Sequence, residues 1–199
     1  MLEKYLRPYY QIVLVNPIAK KIQYCSFLSP SYLTLIGCFI GIISGIAIGL
    51  GWLWTGFSCL LLSGYLDTLD GTAARLKEQS SPFGSALDIV SDRVVELAVI
   101  LGLYNLYPEV DGIFSLLMLG SILICVTSFL VVGIFTENTG QKSFHYSPGL
   151  MERGEAFLFF SFMIFFSASF SILAIVFSAL TFFTSVLRLY QFSQWQRTS

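Results

Sequence analysis

Four aspartates stand close together in a chain that is otherwise strongly apolar: Asp67, Asp70, Asp88 and Asp92, within LDTLDGTAARLKEQSSPFGSALDIVSDR. Asp88, Asp92 and Glu96 recur at four-residue intervals and so share one helical face; Asp67, Asp70 and Ala74 do the same on the preceding segment. If those helices are antiparallel neighbours joined by KEQSSPF, both acidic faces converge on one pocket. Carboxylates inside a membrane cost roughly 2.5 to 3.5 kcal/mol each on insertion scales, and four together repel one another. Divalent cations answer both problems. Oxygen ligands suit Mg²⁺, Mn²⁺ or Ca²⁺, and one or two such ions offset most of the charge. The alternative, acids snorkelling inertly at helix ends, leaves unexplained why the two stripes, the adjacent glycines and Arg75 point inward together.

Gly71 directly follows Asp70 and Gly84 opens the next helix. Each removes a side chain where a phosphate or a flat ligand could approach the backbone, and Arg75 supplies a fork matched to phosphate oxygens. Metal, arginine and glycine together are the equipment for a nucleotide diphosphate, although glycine at a helix end also serves ordinary capping.

These residues need elements to hold them. The 199 residues are 55% hydrophobic and 12% charged, and their mean hydropathy is +0.76. That lies outside the range of a soluble globular domain and predicts an all-α, polytopic membrane protein. Crossing about 30 Å of hydrocarbon takes roughly 20 helical residues. Six transmembrane helices are expected near Ser31–Leu50, Trp52–Leu69, Gly84–Leu106, Gly112–Phe135, Met151–Ser169 and Ser171–Phe192. Residues 1–27 read as an interfacial amphipathic segment, apolar face in the acyl boundary and lysines against anionic headgroups. A short tail folded onto the other helices is the alternative.

Gly37, Gly41, Gly45 and Gly49 form one stripe on the first span. Such a stripe lets a neighbouring helix approach backbone to backbone, within the chain or between subunits. Cys25, Cys38, Cys59 and Cys125 show no C-x-x-C pairing and read as packing residues. Pro8, Gln11 and Asn16 interrupt the N-terminal apolar run, so no signal peptide is expected. The basic residues gather on one side: Lys4, Arg7, Lys20 and Lys21; Arg75, Lys77 and Arg93; Lys142 and Arg153; Arg188 and Arg197. Both termini and the aspartates are therefore expected to face the cytoplasm, in the cell's inner (cytoplasmic) membrane.

The stretch from Asp67 to Asp92 reads D-x-x-D-G-x-x-A-R-x8-G-x3-D-x3-D, and in this it resembles the signature of the CDP-alcohol phosphotransferase family. Asp67, Asp70, Gly71, Ala74, Arg75, Gly84, Asp88 and Asp92 match at every motif position. The six spans and interfacial segment are similar to the family's architecture. The resemblance implies that residues 28–199 form a six-helix transmembrane catalytic domain. It implies that Asp67, Asp70 and Asp88 hold a pair of Mg²⁺ or Mn²⁺ ions, with Asp92 a further ligand or the base that activates the acceptor. Gly71, Ala74, Arg75 and Gly84 would hold the cytidine diphosphate. Ser31 and Thr34 resemble the polar start of the family's first span and are candidates to line the cytidine pocket, with helix capping by the serine as the alternative. The implied partners are a CDP-linked lipid donor such as CDP-diacylglycerol, a small alcohol acceptor, membrane lipid and a second copy in a homodimer. No nucleic acid is expected.

The fourth connection holds the other charge cluster, with Glu137, Lys142, His145, Glu152, Arg153 and Glu155. GLMERGEAF is similar to a Glu-Arg element of family members that use phosphorylated inositol-type acceptors, where the arginine contacts phosphate. Those members also carry basic residues near the end of the fourth span, whereas CVTSFLVVGIFTEN has none, which weighs against a phosphorylated acceptor. Arg153 either binds a phosphate or acceptor, or pairs with Glu152, Glu155 or Glu96. His145 has no second histidine to share a hard oxygen site and reads as a loop residue. A competing reading is a divalent-cation or proton-coupled transporter whose pathway the acids line. It leaves the glycine and arginine spacing unexplained.

Overall fold

The computed structural model describes residues 10–23, 29–106, 108–135 and 150–198; these are mostly helical, with no β-strand among them. The chain divides into two compact units, Leu2–Pro108 and Glu109–Ser199. In the first, a π-helical turn, Gln11–Val15, runs into α1 (Asn16–Gln23), followed by α2 (Pro30–Gly49), α3 (Leu53–Leu76) and α4 (Pro82–Leu106). The second is built from α5 (Pro108–Phe135), α6 (Arg153–Phe165), a 3₁₀ turn at Ser167–Ser169 and α7 (Phe170–Thr198).

The same two-residue signal starts α2 and α4. Ser29 accepts a hydrogen bond from the Tyr32 amide, with Pro30 next in line; Ser81 Oγ accepts one from the Gly84 amide at 3.0 Å, with Pro82 next. The serine satisfies an amide that the first turn leaves open, and the proline lacks the N–H that would be left over there. The ends of α2 and α3 are also built alike. After α2, Trp52 N donates to Ala47 O (2.8 Å) and Gly51 N to Ile48 O (2.9 Å), with Gly51 at φ +78°. After α3, Gln79 N donates to Ala74 O (2.9 Å) and Glu78 N to Arg75 O (3.3 Å). This is the double-bonded left-handed cap. At α3 a non-glycine residue, Glu78, takes the left-handed position at φ 54°, at a cost of about 1 kcal/mol.

Helix α2 packs lengthwise against both α3 and α4. A Cβ on Gly41 would run into Val95, one on Gly45 would overlap the Ala98 carbonyl, and one on Gly102 would overlap the Gly45 carbonyl. Polar side chains lock the contacts: Ser63 Oγ donates to Gly37 O (2.8 Å), Ser44 Oγ to Gly56 O (2.7 Å) and Asn105 Nδ2 to Gly49 O (2.9 Å). The glycine stripe is thus engaged inside the chain, where small residues permit close backbone approach without a hydrophobic driving force between helices.

The π-helical turn and α1 place Val15 and Ala19 against Leu33, Leu69 and Ala73, and Tyr65 Oη donates to Leu14 O at 3.1 Å. Ile12, Val13 and Leu14 of the turn and Ile18 of α1 are exposed, with Lys20 and Lys21 in the last turn of α1. Residues 1–9 and 24–28 of the expected interfacial segment, Cys25 among them, lie outside the described residues.

Among the described residues, three segments are long and apolar enough to cross a membrane: Pro30–Gly49, Gly112–Phe135 and Phe170–Gln196. The other three expected spans differ from these for identifiable reasons. Helices α3 and α4, at 24 and 25 residues, have the length but carry the acids and arginines. Helix α6 has 13 residues, about 20 Å at a helical rise. It stops at Phe166, where φ −115°, ψ 61° leaves helical geometry, and the 3₁₀ turn separates it from α7. In the second unit, Phe159 and Phe160 of α6 pack on Phe177 of α7 with centroids 5.8 and 5.7 Å apart.

Candidate active site

Asp67 and Asp70 lie within the last three turns of α3 and Asp88 in the second turn of α4. Each can place a carboxylate oxygen within 4.8 Å of the other two. Two helices joined at one end could splay by any angle; here α2, packed on both, sets it. Gly37 brings α2 against the backbone that carries Asp67, since a Cβ there would stand 3.3 Å from Leu66 Cβ and 3.9 Å from Asp67 N. Asp70 is buried, as is Thr34 of α2, and the Thr34 hydroxyl donates to Asp70 Oδ2. The same hydroxyl lies 3.2 Å from Pro30 O. Thr34 therefore orients an acid of the cluster, a contact that the sequence reading did not include.

Asp92 is one turn further along α4 and stands outside the group of three. Arg93 Nη2 is 3.8 Å from Asp92 Oδ2, and Arg93 Nη1 is 2.6 Å from Oε2 of Glu96, another turn on. Glu96, one of the partners expected for Arg153, is thus engaged by Arg93.

Gly71, Ala74, Arg75 and Gly84 flank the acids. Among the described residues, a Cβ at Gly71 would meet only Arg75 Nη1, at 3.6 Å. Unlike the α2 stripe, Gly71 is not demanded by helix packing, and it leaves backbone open beside Asp70. Arg75 is exposed, with Nη2 donating to Thr72 Oγ1 at 3.1 Å. At Gly84 the nearest neighbour of an added Cβ would be Ser81 Oγ at 3.2 Å, the atom that caps α4. Ala74 is half-buried on the face of Asp67 and Asp70.

In the second unit, Arg153 is the first residue of α6, its guanidinium 5.5 Å from the centroid of the Phe157 ring. Lys142 and His145 lie outside the described residues. Arg188 of α7 is buried. It donates to Cys125 O (3.0 Å) and Ser128 Oγ (3.2 Å) of α5 and lies 5.1 Å over the Phe129 ring. Sequence reasoning used Arg188 only for orientation. The available signal was a lone arginine in an apolar run, which a membrane helix retains for a reason. The Thr34–Asp70 contact had no such signal, because its partners are 36 residues apart.

Comparison with known proteins accords with this geometry. The profile of the CDP-alcohol phosphatidyltransferase family matches residues 27–187. The chain is 31% identical over 170 residues to the inner membrane protein YnjF of Escherichia coli K12, covering 82% of each chain. It is 30% identical to the archaetidylinositol phosphate synthase of Methanothermobacter thermautotrophicus, over 71% of this chain and 66% of that one. The crystal structure of Mycobacterium tuberculosis phosphatidylinositol phosphate synthase with CDP-DAG bound has the same fold, with a TM-score of 0.72 over 90% of this chain and 93% of that one, at 21% identity. The same enzyme in complex with manganese and citrate gives a TM-score of 0.71 at 22% identity, over 90% of this chain and 88% of that one. A match over most of the chain, spanning the helices that bring the aspartates together, shows that this integral membrane protein belongs to the CDP-alcohol phosphatidyltransferase family.

Proposed function

We propose that the site transfers a phosphatidyl group from CDP-diacylglycerol to the hydroxyl of a small alcohol and releases CMP, in phospholipid biosynthesis. The observation that carries this reading is the meeting of Asp67, Asp70 and Asp88 within 4.8 Å beside the open backbone of Gly71. Family membership sets aside the transporter alternative.

Three carboxylates at that spacing are a hard oxygen donor set suited to Mg²⁺ or Mn²⁺, so Asp67, Asp70 and Asp88 would hold the metal, with Asp92 at hand as a further ligand for a second ion. Bound there, the ions would neutralise the pyrophosphate and the charge that develops on departing CMP. The chain's own residues do the rest. Gly71, Ala74, Arg75 and Gly84 seat the cytidine diphosphate. Asp92 takes the proton of the acceptor hydroxyl as its oxygen bonds to the β-phosphorus. The bond from that phosphorus to the bridging oxygen breaks, and CMP leaves with that oxygen.

A finer reading takes the acceptor as a phosphorylated inositol. The relative from Methanothermobacter is named an archaetidylinositol phosphate synthase. Arg188 also supplies from α7 the positive charge beside α5 that the sequence of α5 lacks, and Arg153 is a second cation of that unit. In the same proposal, α1 lies in the membrane interface, residues 28–199 form the catalytic domain, the site and both termini face the cytoplasm, and the protein acts as a homodimer in the cell's inner membrane.

Purified protein should release CMP from CDP-diacylglycerol only with Mg²⁺ or Mn²⁺ and a suitable alcohol, lose activity in EDTA, and recover it when metal is restored. The panel comprises inositol phosphate, inositol, glycerol 3-phosphate, serine and choline, with lipid products identified by mass. No CMP with any acceptor, together with no binding of cytidine nucleotides, would falsify the reading. Thr34→Val keeps the shape and removes the donor to Asp70, so Mn²⁺ affinity should fall about tenfold, the usual effect of losing a hydrogen bond that orients a ligand. Unchanged Mn²⁺ titrations would show that Asp70 needs no such support.

A further inference from the structure

Glu96 has no part in the chemistry so far, yet it is a carboxylate only 7% exposed, two turns along α4 from Asp88 on the acidic stripe. A buried acid in a membrane helix is retained only with a partner and a use. Its partner is Arg93, at 2.6 Å. Neighbours in sequence on a helix do not face each other, so Arg93 would ordinarily point about 100° away from Asp92. Glu96, three residues on, draws the guanidinium back across the helix face and leaves its other arm 3.8 Å from Asp92 Oδ2.

We infer that Glu96 is a positioning residue for the transfer reaction, holding Arg93 against Asp92 so that the Asp92 carboxylate stays turned toward the cluster of Asp67, Asp70 and Asp88. The inference deepens the proposed function and rests on the place that reading gives Asp92. A long-range charge effect is not required: an arm of Arg93 3.8 Å from one oxygen of Asp92 favours one rotation of that carboxylate, which matters when small misplacements of a reacting group are costly.

The test uses the full chain in detergent or nanodiscs, as wild type, Glu96→Gln, Arg93→Gln, Arg93→Lys and the double Arg93→Gln/Glu96→Gln. CMP release gives kcat and the donor KM, and paramagnetic titration gives Mn²⁺ affinity. Glu96→Gln and Arg93→Gln are each expected to lower kcat and Mn²⁺ affinity about tenfold, the scale for groups that orient a metal ligand, with donor KM within twofold. The double variant should be no worse than either single, because the two act as one unit, and Arg93→Lys should retain most of the activity. Wild-type values in Glu96→Gln, or their return in the double variant, would overturn the inference and leave a pair that only neutralises itself. If Glu96→Gln fails to accumulate because it leaves the half-buried Arg93 without its carboxylate, the double variant carries the decision, having lost both charges. Absence of CMP release from the wild type would count against phosphatidyl transfer alone, and the Mn²⁺ titrations would then decide on Glu96.

Discussion

Asp92→Asn is expected to lower CMP release roughly a thousandfold, within the range for loss of a positioned general base, while nucleotide binding persists. The substitution keeps shape and nearly all packing, but an amide does not take up the acceptor's proton. Asp67, Asp70 and Asp88 meet without Asp92, so the three-acid group stays whole and Mn²⁺ affinity should fall only about tenfold, the share of a supporting ligand. Asp88→Asn is the contrasting case. It removes one of only three carboxylates in that group, and both Mn²⁺ binding and CMP release should disappear together. Equilibrium binding of a CDP-diacylglycerol analogue, Mn²⁺ titration and single-turnover CMP release separate the two variants. Equal loss of binding and turnover in Asp92→Asn would argue that Asp92 serves as a ligand and not as a base.

The second large effect concerns the backbone that aims those acids. Gly45→Val is expected to destabilise the protein by about 3 kcal/mol, the upper range for overpacking, because a Cβ at Gly45 meets the Ala98 carbonyl. That carbonyl belongs to the α4 helix and does not swing aside as a side chain would. Relief requires α2 and α4 to separate, and α4 carries Asp88, so any protein that survives should also bind Mn²⁺ poorly. Gly120→Ala makes the control, since nothing among the described residues lies within 4 Å of a Cβ there; it should be neutral or stabilising by up to about 1 kcal/mol through helix propensity. Thermal unfolding in detergent followed by size-exclusion chromatography reads both. Equal stability of the two variants would mean that the α2–α4 contact does not hold the fold.

How much of this was legible in the residues depends on the range of the interaction. The acid stripes at 67, 70 and 74 and at 88, 92 and 96 are periodicities of single helices. A short turn between two helices already requires antiparallel directions, so convergence of the acidic faces could be expected. Arg93 and Glu96 were also within local reach as an i,i+3 pair, but the bend of the guanidinium toward Asp92 depends on a rotamer that no spacing encodes. The span boundaries show the opposite weakness. The expected fifth and sixth spans part between Ser169 and Ser171, and the helix stops a turn earlier, at Phe166; hydropathy averages over a window and does not register one backbone angle.

By itself the sequence determined that the chain is helical and apolar enough for a membrane, that its carboxylates and glycines fall at the spacing of the family's signature, and that α2 carries a face fit for close contact. Each of these follows from short-range geometry and from the cost of placing charge in hydrocarbon. Only the tertiary structure decided what that face meets, namely α3 and α4 of the same chain. It also decided that Thr34 supports Asp70 and that Arg188 is buried against α5. These are contacts between helices distant in sequence, selected by the complementary shapes of whole surfaces, and a single segment does not carry the shape of its neighbour.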